Sequence, residues 1–188
     1  MEPIFTLPYP EYAIAEYLSK QFKQKDGYSI LIPTSRQQKG FDLVILNLKS
    51  GKSIKIQVKA SRTWTGEFSK RKSKYRNFNH YTRFKVFDID EGMSDYYLLH
   101  GLYPIISSEG VAKNSYSEII LALDESEMIK FLSDIKQKSG KSDSYFGFGF
   151  DNDQEVYLTR GFIGETPPPL SQHLLKNKMG EMKDKLSR

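Results

Sequence analysis

Ile14, Tyr17, Leu18 and Phe22 recur at three- and four-residue spacing, which predicts a first helix over residues 10–23. Pro10 suits its first turn, where the missing N–H would have no intrahelical partner anyway. A turn at Asp26-Gly27 leads into a short strand over 28–32, closed by Pro33, and residues 34–40 read as a polar loop. The period then changes to two. Residues 41–48 (FDLVILNL) and 53–60 (SIKIQVKA), separated by Lys49-Ser50-Gly51-Lys52, form a hairpin. The first run is apolar on both faces from Leu43 to Leu46, as a central strand requires. In the second, Ile54, Ile56 and Val58 point one way and Lys55, Gln57 and Lys59 the other.

Residues 61–82 are basic and aromatic with little periodicity and predict an extended loop. Strands follow at 84–87, 96–103 and 119–123, and a helix at 124–138. That helix opens on a capping box made by Asp124 and Glu127, buries Met128, Leu132 and Ile135, and ends at Gly140. A last hairpin pairs 145–150 with 155–158. The prolines at 167–169 then break the chain before a polar, basic helix or tail. Interleaved strands and helices define an α/β fold with a mixed central sheet flanked by helices. The expected division is a domain at 1–163 and a Pro-containing basic tail at 164–188.

The 188 residues suffice to bury a core. With 27% charged residues and no apolar run near the roughly 18 a membrane span needs, the sequence predicts a soluble protein with no membrane partner. The N-terminus lacks the basic and apolar regions of a secretory signal, and cysteine is absent. Disulfides and thiolate zinc sites are thereby excluded, and a cytoplasmic location is the expectation. Net charge is +5, but residues 49–85 hold twelve Lys or Arg and one acid, Glu67, for +11, which leaves −6 for the rest. A positive field so focused concentrates polyanions near one surface.

Candidate chemistry sits beside that segment. Asp42 opens the central strand, and Gln57 and Lys59 share one face of its hairpin partner, so a carboxylate, an amide oxygen and an ammonium can converge at one end of the sheet. Divalent-metal phosphodiester hydrolysis uses this set. Hard oxygens hold Mg²⁺, and a cation offsets the charge that develops. Phe41-Asp42 followed by Gln57-Val58-Lys59, with Glu11 on a first helix, resembles the PD-(D/E)xK (restriction-endonuclease-like) nuclease superfamily over residues 10–60. The likeness is to branches carrying QxK, such as intron-associated endonucleases, and to archaeal Holliday-junction resolvases.

The resemblance implies a metal-dependent DNA endonuclease. Asp42 is then a metal ligand, Gln57 stands where the family has a second acid, Val58 offers its backbone carbonyl, and Lys59 orients or activates the attacking water. A helix glutamate completes such sites. At about 100° per residue, Ile14, Leu18 and Phe22 lie within about 60° of Glu11 whereas Glu16 points some 140° away, which selects Glu11. Mg²⁺ is the implied cofactor, Mn²⁺ a substitute, DNA the partner, and a homodimer the expected assembly, because cutting both strands calls for two sites.

Arg62, Lys70, Arg71, Lys72, Lys74 and Arg76, interleaved with Trp64, Tyr75, Phe78 and Tyr81, are the candidate nucleic-acid contacts. Two departures from the family pattern stand out. Phe41 replaces the motif proline, and Gln57 replaces an acid, which lowers the negative charge available to a metal. A catalytically inactive nucleic-acid binder on the same fold, or an assembly factor meeting an acidic partner, are the alternative readings. Residues 146–150 (FGFGF) have no Lys-Ser/Thr after them and read as a strand rather than a phosphate loop. His80, His100 and His173 are too scattered for a zinc or histidine-based site.

Overall fold

The computed structural model describes residues 9–33, 39–65, 78–107 and 110–187. Eight strands form one sheet and, among the described residues, three α-helices flank it. Helix α1 (Tyr9–Gln21) buries Ile14 and Leu18 of the expected stripe, with Ala13 beside them, Phe22 buried just beyond its end and Tyr17 half-buried. Strands β1 (Tyr28–Leu31), β2 (Leu43–Asn47) and β3 (Ser53–Thr65) run antiparallel, with Leu43 opposite Ile56 and Ile45 opposite Ile54. All four of those side chains are fully buried. The turn between β2 and β3 uses Gly51 at φ +74, a left-handed conformation that glycine adopts without a Cβ penalty.

Strand β3 organises the molecule. From Ile56 to Arg62 it runs parallel to β5 (Tyr96–Ser107), which in turn pairs antiparallel with β6 (Gly110–Asp124). From Thr63 to Thr65 it pairs instead with β4 (His80–Lys85), followed in the sheet by β7 (Tyr145–Phe150) and β8 (Val156–Arg160). The loop expected over 61–82 is therefore strand at both ends: β3 continues to Thr65 and β4 begins at His80. The alternation missed there is real but written in Ser, Arg, Thr and Trp. Those positions are stabilised by pairing, Ser61 and Arg62 with β5 and Thr63 to Thr65 with β4, rather than by burial of aliphatic side chains.

Two apolar cores lie on opposite faces. One joins Ile14, Leu18 and Phe22 of α1 to Leu43, Ile45, Ile54 and Ile56 and to Leu175, Met179, Met182 and Leu186 of α3 (Leu175–Ser187). The other joins Tyr97 and Leu99 of β5 and Leu121 and Leu123 of β6 to Phe84, Phe146, Phe148 and Phe150, beneath α2 (Glu125–Ser133). Residues 146–150 are strand β7, with all three phenylalanines buried and both glycines on the opposite face.

The segment expected as a polar helix or tail forms α3, whose apolar residues at spacings of four, three and four make a buried stripe. The hairpin turn holds its last turn in place. Asn47 Nδ2 and Ser50 Oγ donate to the Leu186 carbonyl, at 3.1 and 2.6 Å. Such a bond satisfies a carbonyl that has no partner within the helix. Helix α2 starts at the expected capping box, Asp124 accepting from Glu127 N–H at 2.8 Å and Glu127 from Asp124 N–H at 3.0 Å. It stops at Ser133, earlier than expected. Ile135 is buried beyond the helix, and Gly140, at φ +82, closes the following turn between Gln137 and Lys141 rather than the helix.

Candidate active site

Strand β2 ends at Leu43 while β3 runs on, so β3 has backbone donors beyond the end of its partner. Asp42 fills the gap. Its N–H donates to the Ile56 carbonyl at 2.8 Å, and its Oδ2 accepts from Val58 N–H at 2.7 Å. The carboxylate thus stands where the next β2 carbonyl would have been. A strand residue directs its N–H and C=O toward the same neighbour, so the Val58 carbonyl faces this side of β3 as well. Burial pushes the Asp42 carboxyl above the usual carboxylate range, with the Val58 hydrogen bond and the Lys59 charge acting in the opposite direction. Asp42 is therefore an anion held in a partly desolvated position with incomplete local compensation.

Gln57 and Lys59 flank Val58 on the face opposite Ile56. Their register partners on β5 are Tyr97 and Leu99, both in the second core. Lys59 Nζ lies 4.9 Å from the centre of the Phe87 ring, and Phe87 stacks on Tyr97 at 6.0 Å. Burial above all pushes the Tyr97 hydroxyl up to about 12, which keeps it protonated beside the site. The Gln57 side chain forms no hydrogen bond among the described residues, leaving its amide oxygen available. Asp42, Gln57 and Lys59 thus gather at one end of β3, while Val58 turns its side chain toward the first core.

Glu11 occupies a different layer. It lies in the first turn of α1, partly buried, and α1 packs on the face bearing Ile54 and Ile56. Glu16, by contrast, is exposed and forms an i,i+4 pair with Lys20 at 2.7 Å. Arg62 is exposed on β3. Lys70, Arg71, Lys72, Lys74 and Arg76 lie outside the described residues, as do Tyr75 and the acid Glu67. Sequence reasoning did not find the Phe87 and Tyr97 wall behind Lys59. Its only signal was Tyr97, which the parallel β3–β5 register, a purely tertiary feature, sets opposite Gln57.

Among the described residues, no group of three or more His, Cys, Asp or Glu is arranged to hold a metal ion. The donors at the β3 edge are one carboxylate, one amide oxygen and one backbone carbonyl. All are hard oxygens of the kind Mg²⁺ accepts, and water fills the rest of such a shell. The raised carboxyl of Asp42 fits a cation that would supply the missing compensation. No helix is long and apolar enough to cross a membrane.

No family model matches the sequence, and no curated protein matches it. The structure is similar to that of a bacterial homing endonuclease, with a TM-score of 0.35 and 14% identity, over 62% of this chain and 69% of that one.

Proposed function

We propose that this protein is a metal-dependent DNA endonuclease of the PD-(D/E)xK type with a QxK site. The observation that carries the reading is the position of Asp42, clamped at 2.7 Å to the N–H of the residue between Gln57 and Lys59. That hydrogen bond orients the acid next to the two residues that carry an amide and an ammonium. Each is the residue type that phosphodiester hydrolysis needs.

Asp42, Gln57 and the Val58 carbonyl would hold the divalent ion, Mg²⁺ with Mn²⁺ as substitute; Glu11, expected from the sequence as a further ligand, sits with α1 on the opposite face of β3 and is not among them. When bound, the ion polarises the phosphate and lowers the pKa of its water. The chain's own residues position and neutralise. The Val58 N–H holds the Asp42 carboxylate in one orientation, so no side-chain freedom is lost when substrate arrives. Lys59 brings a positive charge to the oxygens that become more negative in the transition state, and the Phe87 ring keeps its ammonium near the sheet. The basic segment from Arg62 to Arg76 would attract the DNA backbone. Cutting both strands calls for two such sites, hence a homodimer.

Incubating plasmid and branched DNA with the protein in Mg²⁺, in Mn²⁺ and in chelator tests the reading. Cleavage in either metal and none in chelator is expected. DNA binding without cleavage in any metal would instead support an inactive binder, a reading favoured by the single carboxylate at the β3 edge.

A further inference from the structure

Resting on the endonuclease reading above, we propose that the turn at residues 90–94 positions the Asp42 carboxylate, with Ser94 as the positioning residue that acts through Gly40. Asp42 lies one residue before β2, where the ladder to β3 ends. One of its oxygens is taken up by the Val58 N–H at 2.7 Å. How the other is presented depends on how the backbone entering Asp42 is held, and that backbone is Gly40 and Phe41.

Gly40 is the point at which it is held. Ser94 is 2% exposed, and its Oγ donates to the Gly40 carbonyl. Met93 packs so closely that a Cβ at position 40 would lie 2.5 Å from the Met93 Cβ. Gly40 also has φ +92, in the left-handed region that a Cβ disfavours. Space and backbone conformation both oppose a side chain there.

The turn is itself anchored on two sides. Lys55 Nζ donates to the Gly92 carbonyl at 2.7 Å, and the Gly92 N–H donates to Glu125 Oε1 at 2.6 Å. Lys55 shares its face of β3 with Gln57 and Lys59, so the turn reaches the face that bears the candidate site. Glu125 is the first residue of α2, directly after β6. Past the turn, Asp95 is locked to β3: its N–H donates to the Lys55 carbonyl and its Oδ2 accepts the Lys55 N–H, both at 2.8 Å.

This bracket spans β3. Ile56 pairs with Leu43 on one edge and with Tyr96 on the other, so β2 and β5 flank the strand on opposite sides. The Ser94–Gly40 bond joins the chain entering β2 to the chain entering β5. Gln57, the next residue of β3, lies between Asp42 and Tyr97. A carboxylate held by such outer contacts meets a cation already oriented.

Amide hydrogen exchange of the full-length, metal-free protein reads the clamp directly, because the Asp42 carboxylate is the acceptor of the Val58 N–H. Ser94→Ala should speed exchange at Val58 by about tenfold, the weight of one hydrogen bond, and leave the amides of β6 and β7 as in wild type. The half-saturating Mn²⁺ concentration for plasmid cleavage should rise by about tenfold, with duplex binding in chelator unchanged. If Ser94→Ala does not fold, Glu125→Ala carries the test: it frees the Gly92 N–H and should move Val58 exchange in the same direction. Val58 exchange at the wild-type rate would overturn the proposal. So would equal acceleration at every amide, or a wild-type Mn²⁺ requirement despite faster exchange at Val58. Absence of cleavage by the wild-type protein in any metal would instead remove the endonuclease reading, and exchange at Val58 would still decide whether the turn holds Asp42.

Discussion

Replacing Asp42 by alanine and by asparagine separates its structural task from its chemical one. The carboxylate accepts the Val58 N–H at 2.7 Å in a partly buried position. Alanine removes the acceptor and leaves that donor unsatisfied, at a cost of about 1–3 kcal/mol. In a chain of this size each kcal/mol lowers the melting temperature by about 2–4 °C, so Asp42→Ala should melt a few degrees to about ten degrees lower. Asparagine keeps an oxygen on the Val58 N–H and removes the charge.

The pH dependence follows from the direction of the Asp42 shift. Burial raises the folded-state pKa above the unfolded one, so the folded protein binds this proton more tightly. The stability this confers is complete below the unfolded carboxylate value and is lost as pH rises through the folded one. Asp42→Asn should therefore match wild type in acid and exceed it in melting temperature at pH 7. Both variants should lose metal-dependent cleavage by a factor on the order of a hundred or more. Thermal melts across pH, with plasmid nicking beside them, measure both quantities. Equal melting temperatures for the alanine and asparagine variants would refute the clamp, and wild-type cleavage by Asp42→Asn would refute the site.

Other outcomes test neighbouring steps of the argument. Lys59→Met keeps an apolar stem against Phe87 and should fold normally while losing about a hundredfold in cleavage; undiminished activity would exclude Lys59 from the chemistry. Glu11→Gln and Glu16→Gln should both leave metal dependence unchanged, since α1 lies on the face of β3 opposite Gln57 and Lys59, and a metal titration of cleavage that shifts in Glu11→Gln alone would bring Glu11 back into the site. Met182→Ala removes a fully buried side chain of α3 and should cost about 2–5 kcal/mol in urea unfolding, a loss that a peripheral tail would not show. Serine at Lys70, Arg71, Lys72 and Lys74 should flatten the salt dependence of duplex binding by about 4, and an unchanged slope would mean that segment makes no backbone contacts.

The sequence alone determined the parts governed by local periodicity. The α1 stripe, the β2–β3 hairpin, the Asp124 capping box and the alternating phenylalanines of β7 are each fixed by residues a few positions apart, whose spacing decides which way they point. The convergence of Asp42, Gln57 and Lys59 was legible for the same reason, since a hairpin sets its own register. What tertiary structure decided was everything that depends on partners distant in sequence. Strand β3 exchanges β2 for β4 part-way along and takes β5 on a parallel edge, so polar residues up to Thr65 become strand that no local pattern announces. Helix α3 gains its place from a core built by residues well over a hundred positions earlier and from Asn47 reaching the Leu186 carbonyl. The layer that carries α1, on the Ile54 and Ile56 face and not on that of Gln57 and Lys59, is likewise set by which apolar surface must be covered. Burial of that surface is a property of the assembled sheet, and helical spacing says only which side of α1 is apolar, not which face of the sheet it meets.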